Sequence, residues 1–395
     1  MSTIELLTRA RHGKELGIVG AENLSLDWPA VIARKDDIVA RWSAGKNMAP
    51  AKLGIPALRG HGQFSDPHEI VVHGRNYSAA NFVIATGSKP ARPAIPGAEL
   101  GITSDELLHL KRQPKELVVV GGGFIGLEFG FALAWAGTKV TVLQSGPQIA
   151  PALDEEIREI LLAAANHAGM TIKTNVKVKA IAAGKNVDAD VDGRSEKFPA
   201  DEVLLATGRP SNVEPLNPSA AGIELDRGAV KVNEYLQSVS APHVYAVGDA
   251  AGKHQHSPVA WYEGPIAAHN ALKGNEQKID FSVFPSAIFT IPAIGQVGLT
   301  EKEALSRGLK AKVSKLSYDS NPAASVRNET EGLVKIVYEE GTEKILGAHV
   351  IGAHAEDIVQ IVAVAIKGGL KKSEVGAMHY VFPTIGGAIF DTMAS

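Results

Sequence analysis

Residues 117–145 read LVVVGGGFIGLEFGFALAWAGTKVTVLQS, and this stretch decides the fold of the chain. An apolar, β-branched run at 117–120 is followed by a glycine-rich turn, a helical pattern at 124–135 and a second apolar run at 140–143. This order predicts a β-α-β unit with the spacing G-x-G-x-x-G, which is the fingerprint of dinucleotide binding. A turn of this composition also occurs in α/β proteins that bind nothing there.

The three glycines of the turn, Gly121, Gly123 and Gly126, have separate predicted tasks. The first permits a tight turn, the second lets the backbone approach a pyrophosphate, and the third lets the helix pack against the strand. The pyrophosphate is then expected on the unpaired N–H groups at the start of the helix. We therefore predict that this turn binds a cofactor.

The residue after the second strand refines this prediction. An acidic residue there normally binds the ribose hydroxyls of NAD, but here Gln144 and then Ser145 follow the strand. Gln144 can hydrogen-bond a ribose, and it does not repel a 2′-phosphate as a carboxylate would. No arginine follows nearby to attract such a phosphate. The choice between NAD and NADP stays open, and the residues favour NAD slightly.

Composition places the chain among ordinary globular proteins. Its 395 residues are enough for two or three domains, 45% of them are hydrophobic, and the formal net charge is −3. No basic stripe points to nucleic acid, and the longest apolar runs are too short to span a bilayer. The first residues are charged and carry no signal-peptide pattern. We expect a cytoplasmic protein with neither nucleic acid nor membrane as a partner.

The sequence contains no cysteine. Disulfides, thiolate nucleophiles and cysteine-ligated metals are therefore excluded within these 395 residues. His254 and His256 alternate in a loop, but two histidines without a third ligand at suitable spacing are more typical of ordinary loop residues. We predict no metal site.

The tripeptide Ala-Thr-Gly ends two further predicted strands, at 85–87 and at 206–208. Two such endings suggest two related nucleotide-binding domains. Another short strand ends at Gly248 and Asp249. An Asp in this place can bind a ribose or another polyol, although it can equally cap a helix or a turn.

The character of the sequence changes near Phe284. Strand-like runs alternate with helical patterns at 301–307, 355–367 and 372–378, and residues 339–344, EEGTEK, predict a hairpin turn. This pattern predicts a separate α+β domain. Its Ile/Val-rich elements suit an oligomer interface, although such a stripe is more often plain core.

Six segments carry a resemblance to the flavin-dependent pyridine nucleotide–disulfide oxidoreductases, a group that includes dihydrolipoamide dehydrogenase, glutathione reductase and mercuric reductase. Together they run nearly end to end along the chain. They are FVIATGSKPARPAIPG (82–97), VVVGGGFIGLEFGFALAWAGTKVTVL (118–143), EVLLATGRPSN (202–212), VYAVGDAAG (244–252), SPVAWYEG (257–264) and KILGAHVIG (344–352).

The resemblance implies a fold class and a domain plan. The fold would be α/β, with two Rossmann-like nucleotide-binding domains, the first of them incomplete, and a C-terminal α+β dimerisation domain. The FAD-binding domain would be split between residues 1–110 and 216–283, the NAD(P)-binding domain would cover 111–215, and the dimerisation domain 284–395. The chain is therefore expected to form a homodimer.

The resemblance also implies site residues for FAD and NAD(P). Glu128 would be the catalytic residue, near the junction of flavin and nicotinamide. The other positions would bind cofactor: Val178 and Gly208 beside the glycine-rich turn and Gln144, and, on FAD, Gly62, Thr86, Gly87, Ser88, Gly248, Asp249 and Ser257.

The sequence departs from the family pattern at its start. Family members begin with another strand, glycine turn and helix, which holds the ADP half of FAD, and then carry a redox-active cysteine pair. Both would lie upstream of Met1, and this chain starts at the helix just after that pair. We expect the 395 residues to be an N-terminally truncated form that binds FAD weakly or not at all.

A second departure lies near the C-terminus. The family's thiol reductases have a His-Pro motif followed by a Glu, and the His acts as acid and base for the thiol. In residues 378–391, MHYVFPTIGGAIFD, Phe382 occupies the His place and Gly387 the Glu place. Phe cannot transfer a proton. His379 precedes Pro383 by too many residues to replace it, and a surface or capping role is more typical of such a histidine.

Two functions remain open on the sequence alone. The first is a flavin-dependent oxidoreductase that passes hydride from NAD(P)H to FAD and on to a small acceptor, such as a quinone or oxygen. The second is a non-catalytic, dimeric NAD(P)-binding remnant that no longer holds flavin. Flavin absorbance of the purified chain separates the two.

Overall fold

The computed structural model describes residues 1–395 apart from the side chain of Glu22, and its elements are numbered here in chain order. The strands are β1 Gly62–Asp66, β2 Glu69–Val72, β3 Arg75–Ser78, β4 Phe82–Ile84, β5 Glu116–Val120, β6 Lys139–Leu143, β7 Thr171–Lys173, β8 Val176–Ala182, β9 Asn186–Val191, β10 Arg194–Phe198, β11 Glu202–Leu205, β12 Leu225–Asp226, β13 Ala229–Val230, β14 Val244–Ala246, β15 Ser286–Ile288, β16 Ile294–Gly298, β17 Ala311–Ser317, β18 Leu333–Glu339 and β19 Ile345–Ile351. The helices are α1 Ser2–Arg11, α2 Trp28–Lys52, α3 Ser104–Leu107, α4 Phe124–Trp135, α5 Glu155–His167, α6 Ser257–Lys273, α7 Glu301–Ser306, α8 Pro322–Arg327, α9 Ala355–Lys367, α10 Lys372–Gly376 and α11 Gly387–Ala394.

The chain forms two compact units, and each is assembled from separated segments. The first unit consists of Met1–Ile32, Arg92–Thr207 and Phe281–Ser395. The second consists of Ala33–Ala91 and Gly208–Asp280. Both units combine helices with sheets, so the predicted α/β class is confirmed.

A four-stranded parallel sheet lies at the centre of the first unit, in the order β11-β5-β6-β7. The apolar run of β5 forms this strand because it is covered on both faces, as parallel sheets require. Leu117, Val118 and Val119 are each at most 2% exposed. Helix α4 connects β5 to β6, so the predicted β-α-β unit is confirmed.

Two antiparallel sheets complete the first unit. Strands β8, β9 and β10 form one, and the other has the order β15-β16-β19-β18-β17. Helix α9 packs its buried side chains, among them Val359 and Val362, into the same core as the inward residues of β18 and β19. The turn at 339–344 joins β18 to β19, which pair as an antiparallel hairpin as predicted.

The second unit has a parallel pair, β4 with β14, and a separate meander of β1, β2 and β3. Phe64, Ile84, Val244 and Ala246 share one core there. The buried residues of helix α6 follow at helical spacing: Val259, Glu263, Ile266, Ala267 and Asn270. Among the residues described, no helix combines the length and the apolarity needed to cross a membrane.

Candidate functional site

The glycine-rich turn joins β5 to α4 where the sequence places it. Gly121 has a φ of +115°, and a Cβ built on it would lie 2.3 Å from the carbonyl oxygen of Ala206. A Cβ on Gly126 would lie 2.2 Å from the carbonyl oxygen of Gly121, so α4 packs directly on the turn. Only glycine fits these two positions without a shift of the backbone. A Cβ on Gly123, in contrast, would meet nothing within 4 Å.

The open space at Gly123 lies at the start of a helix that can bind an anion. Gly123 is the N-cap of the 12-residue helix α4, no side chain caps it, and its first turn carries no acidic residue. The first N–H groups of a helix have no partner within the helix, and the helix dipole favours negative charge there. Two glycines therefore close the turn and the third leaves room, which fits the pyrophosphate of a dinucleotide.

Gln144 folds back onto this turn. Its Oε1 accepts the N–H of Gly122 at 2.9 Å. The carbonyl of Gly122 in turn accepts the N–H of Ala150 at 2.9 Å, so the loop 144–153 contacts the turn at two positions. Because Oε1 takes the Gly122 hydrogen, Gln144 can bind a ribose through its Nε2 donor.

The other two residues predicted to contact the nucleotide, Val178 and Gly208, lie in different units. Val178 on β8 packs against a core that includes Val120, Leu143 and Leu205. These three residues are the last residues of the parallel strands β5, β6 and β11. Val178 therefore lies on the same side of the sheet as the glycine-rich turn. Gly208 belongs to the second unit, where its carbonyl accepts the N–H of Ala91 at 2.9 Å.

Glu128 lies in the second turn of α4, in the first unit. Its Oε1 accepts the backbone N–H of Phe289 at 2.9 Å. Burial raises the pKa of the Glu128 carboxyl, and the Phe289 N–H offsets part of this rise because it favours the charged form. A carboxyl with a raised pKa is suited to hold or move a proton closer to neutral pH.

The predicted FAD contacts of the second unit gather where β4 and β14 end. Ser88 follows Thr86 and Gly87, and its Oγ donates to the Asp249 carboxylate at 2.5 Å. Ser211 Oγ donates to the Asp249 carbonyl at 2.5 Å. The Asp249 side chain is therefore fixed at the carboxyl ends of two parallel strands, where it can accept hydrogen bonds from the hydroxyls of a ribose or a ribityl chain.

Sequence reasoning missed one buried acid beside this carboxylate. Glu263 on α6 is 0% exposed, and its Oε2 accepts the N–H of Gly248 at 2.6 Å. Burial raises the pKa of Glu263, while the Gly248 N–H lowers it. Helical spacing could have revealed this residue, because Val259, Glu263 and Ile266 share one buried face of α6.

Two remaining predicted contacts lie in the same unit. Ser257 is the first residue of α6, and its side chain is exposed. Gly62 begins β1, where it pairs with Val72 in the three-stranded meander. Gly62 thus lies on a different sheet from β14, the strand that precedes Asp249.

The C-terminal segment holds an apolar residue where the family has its acid and base. Phe382 is 67% exposed and its neighbour Val381 is 75% exposed. Gly387 begins α11, and a Cβ built on it would lie 2.8 Å from the Tyr380 ring. A glutamate therefore does not fit at this position unless the ring moves. His379 is exposed, as a surface histidine would be.

Comparison with known proteins connects these features. The model of the family described as pyridine nucleotide-disulphide oxidoreductase matches residues 16–271, and the model of that family's dimerisation domain matches 284–392. The dihydrolipoyl dehydrogenase of Bacillus subtilis (strain 168) is 32% identical over 387 residues, which are 95% of this chain and 82% of that protein.

Two further proteins are similar over most of the chain. The mercuric reductase of Staphylococcus aureus is 37% identical over 351 residues, which are 87% of this chain but only 64% of that longer protein. A solved structure of the HOCl-induced flavoprotein disulfide reductase RclA from Escherichia coli matches with a TM-score of 0.86 and 26% identity, covering 99% of this chain and 89% of that one.

Proposed function

Because the chain belongs to the pyridine nucleotide-disulphide oxidoreductase family, we propose that it is an oxidoreductase that passes hydride from NAD(P)H to FAD and on to a small acceptor. The family combines FAD with NAD(P)H. When bound, FAD supplies the group that accepts the hydride and returns electrons, while the protein binds and orients the reactants. The observation that carries the proposal is the glycine-rich turn, which is closed at Gly121 and Gly126 and open at Gly123.

On the nicotinamide side, the N-terminus of α4 binds the pyrophosphate and Gln144 hydrogen-bonds the ribose through its Nε2. Glu128 lies on the same helix, one turn further along, and its carboxyl is fixed by the N–H of Phe289. In this proposal Glu128 borders the junction of nicotinamide and flavin. Its raised pKa lets it keep a proton at higher pH than an exposed glutamate does.

On the flavin side, Asp249 binds hydroxyl groups of FAD. The hydrogen bonds from Ser88 and Ser211 fix its carboxylate and its backbone, which reduces the entropy lost on binding. Glu263 supports the same turn through Gly248. The matched dimerisation domain supports a homodimer. The proposed location of the enzyme is the cytoplasm.

The acceptor is proposed to be a quinone, oxygen or another small oxidant. None of the 395 residues is a cysteine, so no thiol of this chain can relay electrons. Phe382, at the place of the family's proton-transferring histidine, cannot protonate a thiolate leaving group. Both features favour direct reduction of a small acceptor.

The decisive experiment follows NADH oxidation by the purified chain with a quinone, in the presence and absence of added FAD. Because this chain is expected to bind FAD weakly, we expect turnover that requires FAD in excess. NADH should then reduce the visible flavin absorbance under anaerobic conditions. Gly123→Trp should remove both effects because the new ring fills the space at the start of α4.

Two outcomes would decide against this function. Saturable NADH binding without any FAD-dependent turnover would favour a non-catalytic nucleotide-binding protein. Equal NADH binding by the wild-type chain and by Gly123→Trp would show that the glycine-rich turn is not the binding site.

A further inference from the structure

An ion cluster with a buried centre connects β18 of the C-terminal sheet with the start of helix α5. Lys335 on β18 is 3% exposed and Asp154, which precedes α5, is 4% exposed. The Lys335 Nζ lies 3.0 and 3.2 Å from the two carboxylate oxygens of Asp154. Glu156 and Glu301 contribute oxygens at 3.0 and 3.3 Å from the same Nζ. Buried charges are retained only where they are paired, and none of these residues belongs to the site described above.

Asp154 is also connected to the glycine-rich turn through hydrogen bonds. Its side chain caps α5, and the residue before it, Leu153, donates its N–H to the Ala150 carbonyl at 3.0 Å. The N–H of Ala150 donates to the Gly122 carbonyl at 2.9 Å. A continuous set of contacts therefore runs from Lys335 to the backbone that surrounds the open space at the start of α4.

We propose that Lys335 is a positioning residue for the nicotinamide dinucleotide. By fixing Asp154, it holds the loop 144–153 in the position from which Gln144 and Ala150 both contact Gly122. This inference rests on the proposed function, because it concerns the NAD(P)H site. It assigns to the C-terminal sheet a part in nucleotide binding that the sequence pattern does not indicate.

The charge states of Lys335 and Glu156 favour an ion pair that persists at neutral pH. Burial alone would lower the pKa of Lys335, but the hydrogen bonds and charges of Asp154 and Glu156 outweigh it, and the net pKa is raised. Burial would raise the pKa of Glu156, but Lys315 and Lys335 outweigh it, and the net pKa is lowered. Both residues therefore stay charged across neutral pH.

The test uses the full chain with two substitutions combined, Lys335→Met and Asp154→Asn. The double variant avoids leaving the Asp154 charge buried and unpaired, and Asn still caps a helix as well as Asp does. The control is Lys312→Met on the same sheet, which removes an exposed lysine that lies 3.5 Å from Glu340. Three quantities are measured: the NADH dissociation constant, the thermal midpoint, and the amide hydrogen exchange of Gly122 and Ala150.

We expect the double variant to bind NADH about two- to thirtyfold more weakly, the range for substitutions that act on a site through an intervening element. The amides of Gly122 and Ala150 should exchange faster, and Lys312→Met should leave all three quantities unchanged. The single variant Lys335→Arg keeps the positive charge, so it should retain most of the NADH affinity of the wild-type chain.

A double variant that is folded, binds NADH like the wild-type chain and protects both amides equally would overturn the inference. If the double variant unfolds, Asp154→Asn alone, which keeps the helix cap, provides the test, and unchanged NADH affinity with unchanged exchange of both amides would overturn the inference. Failure of the wild-type chain to bind NADH at all would instead overturn the proposed function, and the inference with it.

Discussion

The Glu128 Oε1 accepts the backbone N–H of Phe289 at 2.9 Å, which ties α4 to the loop between β15 and β16. The helix that starts at the glycine-rich turn is therefore held at its second turn by the matched dimerisation domain. The carboxyl group that we propose to border the nicotinamide thus also contacts this domain, and its titration can be measured.

Glu128→Gln should change the pH dependence of stability. Burial raises the pKa of Glu128 above its usual 4.5. The folded protein therefore holds this proton more tightly than the unfolded chain, and the associated stability is lost as pH rises through the raised pKa. We expect Glu128→Gln to gain stability relative to the wild-type chain as pH rises from 4.5, measured by urea unfolding. Glu159→Gln, at an exposed position of α5, is the control; an equal gain there would contradict the prediction.

Gln144→Glu should separate NADH from NADPH. The wild-type chain is expected to prefer NADH only weakly, because an amide neither repels nor pairs with a 2′-phosphate. A carboxylate at this place would repel that phosphate by about 1 to 4 kcal/mol at close range, depending on the local dielectric constant. Fluorescence titration should therefore show weaker NADPH binding and nearly unchanged NADH binding. Gln277→Glu at an exposed position adds the same charge elsewhere, and a similar loss in that variant would assign the effect to net charge.

Val364→Asp should weaken the homodimer. Val364 and Ile361 lie one turn apart on α9, in the matched dimerisation domain, and are 73% and 39% exposed. Burying a charge in an apolar interface is costly unless it is paired. Sedimentation of the full chain should show a dimer that dissociates in Val364→Asp at micromolar concentration. Val326→Asp on α8 replaces an equally exposed valine of the same domain. Unchanged sedimentation of Val364→Asp would exclude α9 from the interface.

His349 should make the C-terminal sheet sensitive to acid. Its Nε2 donates to the Leu299 carbonyl at 3.0 Å, and its Nδ1 is buried with no hydrogen-bond partner among the described residues. Burial lowers the pKa of His349 below the usual 6.5, and the charge of Lys335 lowers it further. The Leu299 carbonyl and Asp154 raise the pKa, but their effects are smaller. The unfolded chain thus binds this proton more readily, so stability falls as pH drops below 6.5.

The expected slope is at most about 1.4 kcal/mol per pH unit for one proton. His349→Leu should be less stable at neutral pH, because the Leu299 carbonyl loses its donor, but its stability should vary less between pH 6.5 and 5.5, in the acid range below the usual pKa. Urea midpoints across this range measure the difference, with His379→Gln at an exposed position as control. Parallel pH profiles of His349→Leu and the wild-type chain would rule out His349 as the source.

The central unit was predictable because its determinants are local. The β-branched run, the glycine spacing and the apolar helix all lie within residues 117–143, and α4 spans Phe124–Trp135 as predicted. The C-terminal end of α2 is harder to predict, because the helix runs from Trp28 to Lys52 through a segment with mixed local signals. Residues 42–52 contain alanine, lysine and methionine, which favour helix, but also Gly45 and Pro50, which oppose it.

Polar edge strands escaped prediction for a different reason. Strands β3, RNYS, and β10, RSEKF, carry few apolar residues, so no alternation of apolar and polar residues marks them. Each pairs with a neighbour that supplies the buried face. The same limit applies to the site. Gly121, Gly123 and Gly126 could be predicted from their spacing, whereas the proposed role of Lys335 depends on a contact between residues far apart in the chain. The expected truncation at the N-terminus stays a prediction.

The interleaving of the two units has a consequence for folding during synthesis. Strand β4 leaves the ribosome before the whole segment Arg92–Thr207 and finds its partner β14 only after that segment has emerged. The first unit likewise cannot be completed until Phe281–Ser395 has been synthesised, and only then can Lys335 pair with Asp154. Pairing over such sequence distances is slow, and exposed strand edges favour aggregation meanwhile. Slowing translation should therefore bring no gain in folded yield, whereas a chaperone that shields β4 should.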